Sequence, residues 1–451
     1  MTAVFDNKSI LVIFAYAPAG LGHLRVTNAL YRGLPSHAHA LLLGSHDELI
    51  RVLHRYTSVN PLVRAIFEWA QSSRFQTLFT SIYRKILRSN TKDLYNQMLT
   101  ILDQRLETPK TVLIIATHFG LAHQLAVIKN RLCSERNLRV FLAVQVTDDT
   151  PQYIWYIPGA DVIFVPSDRT KKKLENYILN MNYKKVNFSV NPYPVNPVFS
   201  QPFNNMDLQS KKDQLTASHR SYIHIAVPIS GAAVGTKYFE KLMNQLYLKS
   251  QRYSFHVVTK IAPFTENFIR NINDRPYIKL YTSANDRGVI DQYDQVYNEN
   301  IISMEITKPS EQTFKSLIEP YCVGGPIMLF ANPVGKQEED NLYFLRRHHL
   351  MPSISEQKII WEKANKNQLL SADQKAFFLE KARSWRGLLL PFHSYNSAEF
   401  IHWCQENSIF LEMQKMRFNP TMACKYDECL QNELNSNGVR EFWKKTADLI
   451  R

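Results

Sequence analysis

Short apolar runs of four to seven residues, each followed by a polar loop and then by apolar residues at helical spacing, recur in two series along this chain. Ile10 to Ala15 reads as a buried strand, Tyr16 to His23 as a turn carrying Gly20 and Gly22, and Val26, Ala29, Leu30 and Gly33 as a helix. Thr111 to Ala116, Val140 to Val146 and Val162 to Val165 continue the series, the last leading into a helical pattern from Arg169 to Leu179. A continuous apolar strand has no face to show water, so it belongs in a parallel sheet covered by helices on both sides. The second series runs through Tyr222 to Val227, Phe255 to Thr259, Ile278 to Tyr281, Ile301 to Ile306 and Pro326 to Phe330.

Between the series, Pro192, Pro194 and Pro197 interrupt regular structure, and the polar stretch 201–219 reads as a linker. The expected organisation is an α/β domain over 1–200 with a basic, aromatic insertion at about 44–110, a second α/β domain over 220–350, and a helical region over 351–451. Within that last region Ser371 and Gln374 have capping-box spacing.

The 451 residues allow two or three domains. No run approaches the roughly 18 to 20 apolar residues needed to cross a bilayer, so the chain is expected to be cytoplasmic or to lie on a membrane surface. Five cysteines, without paired metal-ligand spacing, fit a reducing compartment and point to no zinc site. A net charge of +14 favours anionic partners such as a nucleotide diphosphate or an anionic membrane face.

Gly20-Leu21-Gly22 lies between a strand and a helix, where backbone N–H groups favour anions. Arg25 stands where a dinucleotide fingerprint has its third glycine, which argues against a nicotinamide or flavin cofactor. His23 follows at the mouth of the first strand and is a candidate general base, with helix capping as its alternative role. Asp148 is a competing base and His118 a third candidate. In the second series, Lys308-Pro309-Ser310-Glu311-Gln312-Thr313 and Gln337-Glu338-Glu339-Asp340-Asn341 are polar loops at strand ends of one sheet. Their hydroxyls and N–H groups suit a diphosphate, and their carboxamide and carboxylates suit sugar hydroxyls. The acidic run also reads as a solvated turn.

The segment from Arg51 to Lys92 carries eight basic positions, Arg51, Arg55, Arg64, Arg74, Arg84, Lys85, Arg88 and Lys92, among Tyr56, Phe67, Trp69, Phe75, Phe79 and Tyr83, with Glu68 as its one acidic residue. Such a surface suits an anionic membrane interface, and an ordinary amphipathic helix pair is the alternative. Large apolar residues inside the basic cluster argue against a nucleic-acid partner.

Ala17-Pro18-Ala19-Gly20-Leu21-Gly22-His23 resembles the glycine-rich loop of monogalactosyldiacylglycerol synthases and processive diacylglycerol glucosyltransferases, relatives of the peptidoglycan N-acetylglucosaminyl transferase. Thr117-His118, Val146-Thr147-Asp148, Asn191 to Phe199, Ile306 to Pro309 and Gln337 to Asn341 follow in the family's order. The resemblance implies the GT-B fold, two Rossmann-like domains facing across a cleft. It implies an inverting, metal-independent transfer of a sugar from a nucleotide-sugar, usually a uridine diphosphate sugar, to a lipid such as diacylglycerol. On it His23 is the general base on the acceptor hydroxyl, with Asp148 as the competing catalytic candidate. The donor is held by Gly22, Gly231, Lys308 to Thr313, Gln337, Glu338 and Asn341, with the pyrophosphate at a helix beginning around Gln312. The acceptor and the inner face of the membrane are met by Arg64, Trp69, Arg74, Phe75, Phe79, Tyr83, Arg84 and Lys85. No cofactor or metal is implied. Pro228-Ile229-Ser230-Gly231 stands where relatives have a run of glycines, and Ser316 where they have a glutamate. These departures leave the donor open and support an alternative, a binding or scaffold protein of the same fold without catalysis.

Overall fold

The computed structural model describes residues 4–5, 7, 9–16, 21–34, 38–44, 76–89, 91–105, 107–368, 370–415 and 432–451. They form two compact α/β units, Met1–Pro197 with Gln431–Arg451, and Val198–Leu430.

The first unit comprises β1 (Ile10–Tyr16), α1 (Leu21–Arg32), β2 (His39–Gly44), α2 (Gln76–Ser89), α3 (Lys92–Asp103), β3 (Thr111–Ala116), α4 (Phe119–Arg136), β4 (Arg139–Gln145), β5 (Val162–Val165), α5 (Asp168–Asn180) and β6 (Phe188–Val190). Its six strands are all parallel, in the order β2-β1-β3-β4-β5-β6. Ile13 is paired with Leu41 on one side and Ile114 on the other. All six residues of β3 are buried, as two-sided helix cover requires. Local signals set the helix ends: the Ser167 hydroxyl accepts from Thr170 N at 3.1 Å to start α5, and Asn137 stops α4 in the left-handed region at φ 50°.

The second unit comprises α6 (Asn205–Leu215), β7 (Ile223–Pro228), α7 (Thr236–Lys249), β8 (Tyr253–Lys260), α8 (Glu266–Ile272), β9 (Ile278–Ser283), α9 (Asp286–Glu299), β10 (Met304–Thr307), β11 (Ile327–Phe330), α10 (Lys336–Arg347), α11 (Ile354–Asn365), α12 (Ala372–Ala382), β12 (Gly387–Leu389), α13 (Ser394–Glu406) and α14 (Ile409–Met413). Its sheet is also parallel, in the order β12-β11-β10-β7-β8-β9. The last helix, α15 (Gly438–Ile450), belongs to the first unit. Trp443 of α15 donates to Leu30 O at 3.0 Å and packs edge-on against Phe5 and Phe14. Asn191 donates to Gly438 O at 3.0 Å, and a Cβ at Gly438 would lie 2.3 Å from Pro192 O, so only glycine permits this approach.

The two α/β halves expected from the alternation are present, with three corrections. The stretch read as a linker holds α6, capped by Asn204, because Lys211 is drawn inside by Pro320 O at 2.6 Å and Gly325 O at 2.8 Å. The region read as helical beyond 350 contains β12, an edge strand too short to show a pattern, and its last helix returns to the first unit. Gly22 and His23 lie in the first turn of α1, not in a loop before it. Among the described residues no helix is long and apolar enough to cross a membrane.

Candidate functional site

In the first sheet β1 leads through α1 to β2 on one side, while β3 lies on the other. Ligands of open α/β sheets bind beyond the strand ends where connections diverge in this way. The structure brings His23, Thr117 and His118 to that point. The His23 Nδ1–H donates to Thr117 O at 2.7 Å, which places the ring's lone pair on Nε2. Thr147 Oγ1, just past β4, lies 3.3 Å from the same Nδ1 and 3.4 Å from Asp148 Oδ2. The Thr27 hydroxyl donates to His23 O at 2.9 Å and lies 2.8 Å from Thr117 Oγ1, so the first turn of α1 is tied to the end of β3. His118 stands edge-on to His23 at 4.9 Å and stacks on Phe119 at 4.7 Å. His118 is buried, whereas His23 and Asp148 are half-buried. Tyr193 donates to Thr147 O at 2.8 Å and holds that turn from below.

The bond to Thr117 O orients the imidazole through Nδ1, an arrangement that suits proton abstraction from a hydroxyl by the other ring nitrogen. Thr147, quoted only as a neighbour of Asp148 in the sequence, is the group between carboxylate and imidazole. Its hydroxyl gave no signal of its own in the pattern. Asp149 is structural, since it accepts from Ser167 Oγ and from Thr170 Oγ1 at 2.8 Å.

In the second sheet the connections diverge between β7 and β10. The loop after β7 holds Ser230, Gly231 and Gly235, with Ala233 at φ 52° and Gly235 at φ 88°. The left-handed backbone therefore falls at Ala233 and Gly235, not at Gly231. Gly235, missed in the sequence reading, was signalled by its place just before a helical pattern. A Cβ there would approach Lys308 Cε at 3.8 Å, so the loops after β7 and β10 touch. Lys308 is half-buried and donates to Asn332 O at 2.8 Å, which joins the loop after β11. Asn341 Nδ2 donates to Pro309 O at 3.1 Å, and Glu338 accepts from Val334 N at 2.6 Å. Asn341 and Glu338 thus shape the loops that the sequence reading took as ligand-binding.

The helix expected around Gln312 is a 3₁₀ segment, Glu311–Leu317, and its residues from Gln312 onward are buried. Gln312 and Thr313 face the unit's interior, with Tyr293 OH donating to Gln312 Oε1 at 3.3 Å. Ser316 is fully buried as well, so that position offers no side chain to a ligand. The inward turn is held by Lys315, which donates to Glu305 at 2.8 Å and to Tyr293 OH at 2.7 Å and lies 3.7 Å from the Tyr297 ring centre. Tyr293 and Tyr297 also donate to Glu305. Alternating polar letters in this segment hid an internal network. Ser310 and Glu311 remain half-buried at the loop, and Gln337 is exposed.

Of the residues assigned to acceptor and membrane, Arg64, Trp69, Arg74 and Phe75 lie outside the described residues, as do Ala17 to Gly20, and the Phe79 side chain is not described. Arg84 is not at the surface. It donates to Tyr177 OH at 2.9 Å and its guanidinium lies 5.1 to 5.8 Å from the rings of Tyr156, Tyr177 and Tyr183. Tyr83 packs against the core, and burial raises its phenol pKa. Among the described side chains of α2, Ile82, Lys85, Ile86 and Ser89 are exposed.

No family model matches the chain, and no curated protein does. Among solved structures it is similar to a UDP-N-acetylglucosamine 2-epimerase at 10% identity, covering 97% of this chain and 94% of that one, with a TM-score of 0.47. The UDP-GlcNAc 2-epimerase from Neisseria meningitidis bound to UDP-GlcNAc matches at 11% identity, 97% and 99% coverage and a TM-score of 0.43. A glycosyltransferase from Rickettsia africae matches at 10% identity, 99% and 100% coverage and a TM-score of 0.41.

Proposed function

We propose that this chain is a glycosyltransferase of GT-B type that uses a nucleotide-sugar, with a uridine diphosphate sugar as first choice, and delivers the sugar to a lipid hydroxyl. The observation that carries the reading is the His23 imidazole, fixed through Nδ1 at the divergence point of the first sheet. In the proposed reaction Nε2 takes the proton of the acceptor hydroxyl. The acceptor oxygen forms its bond to the anomeric carbon as the bond from that carbon to the diphosphate oxygen breaks, with inversion. Asp148, hydrogen-bonded to Thr147, supports the imidazolium that results. The diphosphate is assigned to the loops after β7 and β10, where Lys308 supplies positive charge without a metal. The sugar hydroxyls are assigned to half-buried Glu311 and exposed Gln337 of these loops.

The lipid acceptor is approached through the outer side of α2, where Ile82 and Ile86 are 52% and 54% exposed beside Lys85. Two apolar side chains with a cation on one helical face fit an anionic interface. Calorimetric titration with uridine diphosphate, followed by a panel of nucleotide-sugars against diacylglycerol and polyprenyl acceptors, tests the reading. Binding heat with product formation supports it. Binding without transfer or hydrolysis points to the non-catalytic alternative, and no binding removes the donor assignment.

A further inference from the structure

The second unit carries a cavity of about 710 Å³ at the edge of its sheet where the strands begin, away from the loops after β7 and β10. It lies between the end of α10, the start of α11 and the end of α12. Its apolar lining is Tyr343, Met351, Ile354 and Trp385. Its charges are Arg346, Lys358 and Lys381, the last ion-paired at 3.7 Å with Glu356, the single carboxylate, with His349 beside them. A cavity of this size with apolar walls and few convergent charges has the form of a small-molecule site.

Two features separate it from a chance dent. Arg346 is half-buried, its Nε is enclosed without a hydrogen-bond acceptor, and burial lowers the guanidinium's pKa. His349 occupies the left-handed position that ends α10, at φ 57°, with His349 N bonded to Arg346 O and Leu350 N to Leu345 O. Glycine is the residue this motif favours, so the imidazole is kept at the cavity against a backbone preference. The start of α11 is already closed by its capping box, Ser353 Oγ with Glu356 N and Glu356 Oε2 with Ser353 N, so the positive field comes from side chains.

We infer that this cavity binds a small amphipathic organic anion, with its acidic group at Arg346, Lys358 and Lys381 and its apolar body against Met351, Ile354 and Trp385. The excess of cations over Glu356 selects the charge, and the lining selects an aromatic or branched body over a free inorganic ion.

The test is a fluorescence titration of the full chain with anilinonaphthalene sulfonate, with inorganic phosphate and neutral phenylnaphthylamine as comparisons. Saturable binding is expected, at least tenfold weaker for Lys358→Gln/Lys381→Gln and weaker at high salt. Both lysines are exposed, and the variant gives up only the 3.7 Å surface ion pair of Lys381 with Glu356, so it keeps its fold. His349→Gly is expected to melt no lower than the parent while binding several-fold more weakly, a split that a purely structural histidine does not give. Equal affinity for the neutral probe, or indifference to the lysine substitutions, overturns the inference.

Discussion

Replacing His23 by alanine removes the only part of the proposed machinery that touches the transferred proton. The 2.7 Å bond to Thr117 O fixes ring plane and tautomer, so the imidazole is already organised before the acceptor arrives. Removing such a base lowers turnover by about 10²- to 10⁴-fold, or about 2.7 to 5.4 kcal/mol of barrier at 1.36 kcal/mol per decade. The donor constant stays unchanged, because the donor loops belong to the second unit and His23 to the first. Thr147→Val removes a hydroxyl 3.3 Å from Nδ1, a long contact, and costs about threefold to tenfold. Initial rates with radiolabelled donor provide the assay. Normal turnover in that variant beside an inactive Asp148→Asn refutes the assignment and makes Asp148 the base.

Lys315→Met leaves the Glu305 carboxylate buried without its cation and destabilises the second unit by about 3 to 5 kcal/mol in urea unfolding, whereas adding Glu305→Gln recovers most of the loss; an unchanged midpoint contradicts the network. Burial pushes His123 in the first unit and His256 in the second down to about 3, so each stays neutral in the fold while the unfolded chain takes a proton near 6.5. Stability is therefore full above about 6.5 and falls toward pH 3, by up to about 1.4 kcal/mol per pH unit from His123 alone, and His123→Gln flattens that slope in unfolding curves taken from pH 7 to 4. Flotation with anionic vesicles falls for Ile82→Ser/Ile86→Ser and with added salt, and indifference to both returns this face of α2 to ordinary solvent.

What the sequence determined by itself is the α/β character of both halves, because a fully apolar run such as Thr111 to Ala116 has only one stable environment, a parallel sheet covered on both faces. It also placed His23 at a strand end, since the spacing from strand to helix is local, and it found the capping box of Ser371 and Gln374, which needs only four residues. Contacts distant in the chain were decided by tertiary structure. Gln312 and Thr313 read as loop residues because polarity marks exposure on average, and contacts of Gln312 and Lys315 with Tyr293, Tyr297 and Glu305 turned that segment inward. Arg84 looked like a membrane cation until three tyrosines from residues 156 to 183 enclosed it. The helix α15 returned to the first unit because Trp443 found Leu30 more than 400 positions away in the chain, and no local pattern encodes a partner at that distance.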